Sequence, residues 1–486
     1  MYIRNEDTIC APATVPGTGA ISVIRLSGPE ALTIADKVIR CRRGNISDAK
    51  GYTIRFGEVL DDTGALIDEV LTSVFRAPHS YTGENSVEIS CHASSYIVSR
   101  IMELLYAAGA RAAEPGEFTQ RAYLNGKMDL AQAEAVADVI ASQNAAAHRI
   151  AFKQMKGGFS SELRDMRGEL LELVSLMELE LDFSEEEVEF ADRSRLDTLL
   201  EQITAHVSRL IDSFRLGNAI KNGVPVAIAG ATNTGKSTLL NALLGEDRAI
   251  VSDVHGTTRD TIEETLNIDG VLFRFIDTAG LRQTSEIVEK IGIERTFKKI
   301  SEASIVLGMI DLTRDFDSTD ETIREILDKV DFQTQKLVLL LNKTDICEAN
   351  KNVTTINNIV SRIENKGLKA ALSNYTQNDA QTVPILPISA KTRTGIEELL
   401  SILASSQRDL LADSDTTLVT NQRHLQALTD TRTSLLRLRQ GLASGLPTDL
   451  AAQDIREAIY HLGSIAGEIS TDEVLGNIFR NFCIGK

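Results

Sequence analysis

Apolar and polar positions change their period several times along the chain, and each change predicts a different kind of element. Ala20 to Leu26 (AISVIRL) reads as a strand, Gly28-Pro29 as a turn, and Glu30 to Val38 has helical spacing. Short strand-like runs follow at Thr53 to Val59, Glu69 to Phe75 and Ser86 to Ser90, then a helix over Ala93 to Ala107. Residues 1 to about 120 therefore read as an α+β domain, on pattern alone a scaffold or a dimerisation module. From Phe118 to Arg215 the period becomes helical. Asp129 to His148 is an Ala-rich helix with Leu130, Ala133, Ala137 and Ile140 near one face. Gly157-Gly158 interrupts it, and Ser160 to Asp182 carries Leu163, Met166, Leu170, Leu173 and Leu176 as a stripe suited to packing on sister helices. The acidic run Ser184 to Glu189 reads as a solvated turn, Leu196 to Phe214 as helix, and Gly217 to Gly223 as a linker.

The pattern alternates from there to about Gln407. Strand-like runs at Val224 to Ala229, Val271 to Ile276, Ile305 to Ile310, Leu337 to Leu341 and Val383 to Pro387 are separated by helical stretches, which predicts a parallel sheet. Helices return at Leu418 to Arg439 and Thr448 to Ile469, broken by Gly441 to Pro447. The predicted architecture is multidomain, α+β and α/β. An N-terminal domain spans 1–120, a helical domain is divided between 121–221 and 409–486, and an α/β domain at 222–408 is inserted into it.

Composition narrows the function classes. A chain of 486 residues is too long for one core. The N-terminus has no signal-peptide pattern and no apolar run is long enough to span a bilayer. Five cysteines are scattered without a C-x-x-C, which fits a reducing cytoplasm and disfavours a thiolate metal site. The net charge of −18, the absence of Trp and an aromatic content of 5% argue against a broad nucleic-acid-binding face.

The chemistry concentrates in the central region. Gly230 to Ser237 has the phosphate-loop spacing G-x-x-x-x-G-K-S between a strand and a helix. The glycines allow the turn that converges backbone N–H groups on phosphate, Lys236 supplies a point charge, and Ser237 offers a hydroxyl to magnesium. Asp277-Thr278-Ala279-Gly280 then ends a strand with a carboxylate for magnesium-bound water and an N–H for the γ-phosphate. Asn342-Lys343-Thr344-Asp345 ends another, and its Asp345 carboxylate can accept paired bonds from guanine where adenine would repel it. Ser389-Ala390-Lys391 ends the last strand and supports the base. Ligands bind at such strand ends in α/β sheets. The GTP site expected from these motifs comprises Asn233, Thr234, Gly235, Lys236, Ser237 and Thr238, then Ser252, Asp253, Val254, His255, Gly256, Thr257 and Thr258. It also takes in Asp277 to Gly280, Asn342, Lys343, Asp345 and Ser389 to Lys391.

Two departures from the Ras pattern bear on mechanism. Leu281 follows Gly280 where a water-orienting Gln would stand, so Glu289 or Glu286 is left to orient water. Asn233 can offer a side-chain oxygen beside the phosphates and, with carbonyls of a loop such as Val251 to Thr257, could hold a monovalent cation in place of an arginine finger. Asn233 reads equally well as a turn residue.

With these motifs in place, the chain resembles the MnmE (TrmE) family of tRNA-modification GTPases over nearly its whole length. The matching stretches are DTICAPAT, VIRLSG, YTGENSVEI, PGEFTQRAYLNGKMDLAQAEAVADVI, GTTRD, DTAGL, VEKIGIERT and the terminal FCIGK. The resemblance implies a homodimer made by N-terminal domains, and GTP hydrolysis with magnesium on Ser237 and Thr258. It implies acceleration by potassium held among Asn233, Ser252, Val254 and Thr257, with Glu289 and Lys236 catalytic. It further implies a tetrahydrofolate derivative (5-formyl or 5,10-methylene) bound by Arg25, Glu88, Lys127 and Lys486; Cys483 is a candidate thiol for carbon transfer at that site if Lys486 or a neighbouring cation lowers its pKa. From the residues alone Cys483 reads equally as a buried small hydrophobe. The implied partners are tRNA and the FAD-containing protein MnmG, in a heterotetramer or larger complex. Together they would add an aminomethyl or carboxymethylaminomethyl group to C5 of the wobble uridine. The sequence departs from the family at Ala93-Ser94-Ser95 after His92, at Ser252, and at His255 in the potassium loop. A GTPase acting as a nucleotide-dependent switch in ribosome or RNA assembly is the alternative, disfavoured because such proteins usually append a basic domain.

Overall fold

The structure is a computed structural model. It describes residues 7–182, 193–245, 263–276, 301, 303–314, 316–346, 383–406, 417–444, 448–468, 472–479, 482 and 485. These residues form two compact units, one from 1–141, 151–211 and 422–486, the other from 142–150 and 212–421.

In the first unit, a seven-stranded sheet is built from β1 (Ile9–Pro12), β2 (Ile21–Ser27), β3 (Ile39–Cys41), β4 (Thr53–Leu60), β5 (Leu66–Phe75), β6 (Ser86–His92) and β7 (Arg111–Ala112), in the order β3-β4-β5-β6-β2-β1-β7. Neighbours run antiparallel except β1 and β7, which are parallel. Period-2 alternation sends Ile24, Leu26, Val70, Val74, Val87, Ile89 and Cys91 into one core with helices Ala31–Val38 and Ser95–Ala107. The short strands β1, β3 and β7 lack an alternating run long enough to announce them in the sequence.

The predicted continuous helix over Asp129 to His148 is instead two helices, Leu130–Ala141 and Ala145–Met155. Asn144 accounts for the break. Its Oδ1 accepts the Ala147 N–H at 2.7 Å, and its Nδ2 donates to the Ile220 carbonyl at 3.2 Å, so it caps the second helix rather than sitting inside the first. Residues 142–150 consequently pack with the second unit. Helix Gly158–Asp182 buries Leu163, Met166, Leu170 and Leu173 of the predicted stripe, whereas Ile140 of the preceding stripe is exposed. The predicted linker at Gly217 to Gly223 is also corrected. Helix Arg193–Asn222 runs through it, because Gly217 is where the Val419 backbone crosses and a Cβ there would lie 2.2 Å from the Val419 carbonyl oxygen. Helices Gln422–Ala443, Thr448–Ala466 and Asp472–Phe479 complete the first unit.

The second unit contains a six-stranded sheet of β8 (Val224–Ala229), β9 (Glu263–Ile268), β10 (Val271–Ile276), β11 (Ile305–Asp311), β12 (Lys336–Asn342) and β13 (Ile385–Pro387), ordered β13-β12-β11-β8-β10-β9. All pairings are parallel except β9 with β10. Both faces are buried. Val224, Val226 and Ile228 enter one core with Leu307 and Leu340, while Ala227 and Ala229 enter the other with Val306 and Leu339. Burial on both faces is why these strands read as continuous apolar runs. No described helix is long and apolar enough to cross a membrane.

One buried ionic cluster ties the helices of the first unit together. Glu134 receives Arg423 Nη2 at 2.8 Å and His424 Nε2 at 2.7 Å, and Arg423 also donates to the Ser464 and Ile465 carbonyls. Burial alone would raise the Glu134 pKa. His424 and then Arg423 outweigh it and hold the group down to about 2. A depressed folded-state pKa contributes stability above the unfolded value, which is lost as pH falls toward about 2. Glu134→Gln should cost about 3 kcal/mol in urea unfolding at neutral pH, the low end for a broken buried pair, because Arg423 keeps its carbonyls. The difference from wild type should shrink between about pH 4.5 and pH 2; a difference constant over that window would remove the ion pair as the cause.

Candidate guanine-nucleotide site

Strand β8 delivers the chain into the phosphate loop, and helix Lys236–Leu244 starts on its far side. The loop needs its glycines where they stand. Gly235 has φ +101, and a Cβ there would lie 2.5 Å from Asn342 Nδ2. At Gly230 a Cβ would lie 2.5 Å from the Met309 carbonyl oxygen. Asn233 also adopts a left-handed conformation, φ +63, with its side chain exposed. That turn leaves successive N–H groups free to converge on an anion at a helix N-terminus. Thr234 is buried, its hydroxyl donating to the Ala231 carbonyl at 2.9 Å, while Ser237 and Thr238 are exposed at the helix start.

Lys236 reaches back over the loop, donating to the carbonyls of Gly230 at 2.8 Å and Ala231 at 2.9 Å. Its pKa is lowered, first by burial and then by the positive charge of Arg314.

The base-reading motif lies at the end of β12. Buried Asn342 donates from Nδ2 to the Thr234 carbonyl at 2.7 Å and accepts the Ala390 N–H on Oδ1 at 3.0 Å. One side chain thus joins the phosphate loop to the Ser389-Ala390-Lys391 segment. Asp345 is exposed and accepts the Ser389 hydroxyl at 2.7 Å. Lys343, at φ +71, donates to Asp311 Oδ2 at 2.7 Å, and Lys391 is exposed. The structure therefore brings together Asn233 to Thr238, Asn342, Lys343, Asp345 and Ser389 to Lys391. Ser252 to Thr258, Asp277 to Gly280, Leu281, Glu286, Glu289, Cys483 and Lys486 lie outside the described residues.

Asp311 and Arg314 escaped the sequence reading. Asp311 is buried, takes Lys343, and accepts the N–H and hydroxyl of Thr313. The available signal was an apolar run closing on Asp-x-Thr, an Asx turn at a strand end.

In the first unit, Arg25 and Glu88 are directly paired residues of β2 and β6, with Arg25 Nε to Glu88 Oε1 at 2.9 Å. The Arg25 guanidinium lies over the rings of Tyr81 at 5.3 Å and Phe118 at 5.7 Å, and Nη1 approaches the Gly485 carbonyl at 3.5 Å. Lys127 is exposed and donates to the Pro78 carbonyl at 2.9 Å. Arg121 also went unread. Fully buried, it pairs with Asp7, Glu84 and Glu117, and Arg111 closes the cluster on Asp7 and Glu117. A charged residue in an amphipathic helix carries no sequence mark of burial.

A mostly parallel sheet with a phosphate loop after β8, and Asn-Lys-x-Asp after β12 bonded to that loop, defines a P-loop guanine-nucleotide-binding domain of the Ras-like GTPase class. Residues 8–127 match the family described as GTP-binding protein TrmE N-terminus, and residues 130–483 the MnmE helical domain. The "tRNA modification GTPase MnmE" of Parabacteroides distasonis is 51% identical over 99% of this chain and 100% of its own length. That of Bacteroides thetaiotaomicron is 50% identical over the same shares. A structure of Aquifex aeolicus Era covers 44% of this chain and 66% of its own at 26% identity, with a TM-score of 0.27, too low to bear on the fold. The chain belongs to the MnmE (TrmE) family of tRNA modification GTPases, and it is a GTP hydrolase.

Asn342→Ala would leave the buried Thr234 carbonyl and Ala390 N–H unpaired, at about 1–3 kcal/mol each. Fluorescence titration with a labelled GDP should show affinity falling by roughly tenfold or more, with a lower melting temperature. Wild-type affinity would show that the loop holds its shape without this cross-link.

Proposed function

We propose that the chain hydrolyses GTP to drive modification of C5 of the wobble uridine in tRNA, transferring a one-carbon unit from a tetrahydrofolate derivative with the FAD-containing protein MnmG as partner. The observation that carries the carbon-transfer part is the meeting of three features at one point. These are the Arg25–Glu88 pair, the aromatic rings of Tyr81 and Phe118, and the Gly485 carbonyl next to the chain's end. Gly485 has φ +96, and a Cβ there would lie 2.2 Å from the Pro12 carbonyl oxygen, so only glycine fits against β1. A cationic donor, a carboxylate and ring faces together suit a flat heterocycle with a carboxylate tail. Lys127, Lys486 and Cys483 complete the proposed site, with Cys483 as the reacting thiol.

A homodimer is part of the same reading. The sheet face bearing Arg25 and Glu88, opposite the two helices, also carries Ile21, Ile54 and Leu71, which are 66%, 65% and 48% exposed. Apolar side chains on one sheet face favour burial against a second copy.

For hydrolysis, magnesium is held by Ser237 and Thr258, and potassium by Asn233 with Ser252, Val254 and Thr257. Glu289 orients the attacking water. The left-handed, exposed Asn233 supports the potassium role, since its side chain is not consumed by a bond within the loop. A bound cation of this kind supplies fixed charge to the transferring phosphoryl group.

Replacing potassium with sodium should slow GTP turnover by on the order of a hundredfold while leaving GTP affinity largely intact. Glu289→Ala should bind GTP normally and lose turnover. Equal rates in the two salts would eliminate the cation mechanism, and wild-type turnover by Glu289→Ala would transfer the water to Glu286.

For the folate reading, calorimetry with a reduced folate should give binding that Glu88→Ala weakens by roughly tenfold or more. Cys483→Ser should keep GTP hydrolysis and lose the modified wobble nucleoside, read by mass spectrometry of tRNA from a complemented deletion strain. A normal nucleoside there would reduce Cys483 to packing.

A further inference from the structure

Arg314 lies beyond the end of β11, and β11 pairs directly with β8, the strand that feeds the phosphate loop. Its Nη2 donates to the Thr232 carbonyl at 2.6 Å. The backbone that carries it is tightly held. The Arg314 N–H bonds the Asp311 carbonyl at 3.3 Å, Thr313 is bound to the Asp311 carboxylate through both N–H and hydroxyl, and Leu312 N–H bonds the Asn342 carbonyl at 3.2 Å. The side chain is 34% exposed, and Nε lies 3.9 Å from Asp311 Oδ2.

Three successive loop carbonyls therefore meet a cationic donor: Gly230 and Ala231 meet Lys236, and Thr232 meets Arg314. The Thr232 carbonyl and the Asn233 N–H belong to one planar peptide, so they point in opposite directions. Fixing the carbonyl on Arg314 fixes the N–H on the other side. Asn233 sits at φ +63, a conformation a free loop would leave readily. The loop's ability to bind phosphate rests on its N–H groups being aimed before the anion arrives.

We propose that Arg314 is a positioning residue for nucleotide binding, locking the Thr232–Asn233 peptide so that its N–H faces the phosphates. It acts from within the same chain and from the outer side of the loop, and its positive charge adds to that of Lys236 in attracting the triphosphate. The lowered pKa of Lys236, to which Arg314 contributes after burial, is consistent with two cations sharing this loop.

The test uses the full-length protein with fluorescent GDP and a fluorescent non-hydrolysable GTP analogue. Arg314→Ala should raise the dissociation constants of both by on the order of tenfold, the loss expected of one charge-assisted hydrogen bond. The dependence of affinity on ionic strength should become shallower. Arg314→Lys should recover part of the affinity, because an ammonium can still donate to a single carbonyl. The melting temperature without nucleotide should move little in either variant. Dissociation constants within twofold of wild type in Arg314→Ala would overturn the proposal. So would a loss that Arg314→Lys does not recover and that tracks a lower nucleotide-free melting temperature, since Arg314 would then be holding the fold rather than aiming the loop.

Discussion

The nucleotide site depends on a single buried amide. Asn342 is 3% exposed, and its two polar atoms are both used, one on the Thr234 carbonyl of the phosphate loop and one on the Ala390 N–H. Segments far apart in sequence are held in register by a side chain that has no solvent alternative. Leaving either partner unmet inside the protein costs more than the bond itself contributes in water. The close approach of Asn342 to Gly235 is the other half of the constraint, because any side chain at 235 would occupy the space of the Asn342 amide. Phosphate recognition and base recognition are thus one mechanical unit, and a disturbance at either end is felt at the other.

The parallel strands were legible in the sequence because both of their faces are buried, leaving Val224 to Ala229 and Leu337 to Leu341 almost uniformly apolar. Their glycine, lysine and asparagine punctuation was legible because nucleotide chemistry restricts those positions so tightly. Strand β9, Glu263–Ile268, was not read, since an antiparallel edge strand with the sequence EETLNI has one open side and no continuous apolar run. Gly217 misled for a different reason. Isolated glycine signals a break in a helix, yet here it serves close packing against Val419, a tertiary cause that leaves no local trace.

Buried charge was the least legible feature. Arg121 and Glu134 sit in sequences that look like ordinary solvated helix faces. Their burial follows from partners distant in the chain: Asp7 and Glu84 for Arg121, and Arg423 for Glu134. Arg25 and Glu88 are intermediate. Each strand was recognisable, but only the register of β2 against β6 sets the two side by side.

The short connector around Asn144 has a consequence for how the polypeptide can be divided. Ala146, Ala147 and Ile150 lie in one apolar cluster with Leu216, Ile220 and Leu418, so three separate stretches of chain build the base of the GTPase unit. A fragment cut at the conventional edges of the nucleotide-binding sequence would keep only part of that cluster and present the rest to water. The GTPase is therefore no clean excision product: helices Ala145–Met155 and Arg193–Asn222 each begin or end inside its apolar cluster, and a cut at residue 222 would sever the unit from part of its own core.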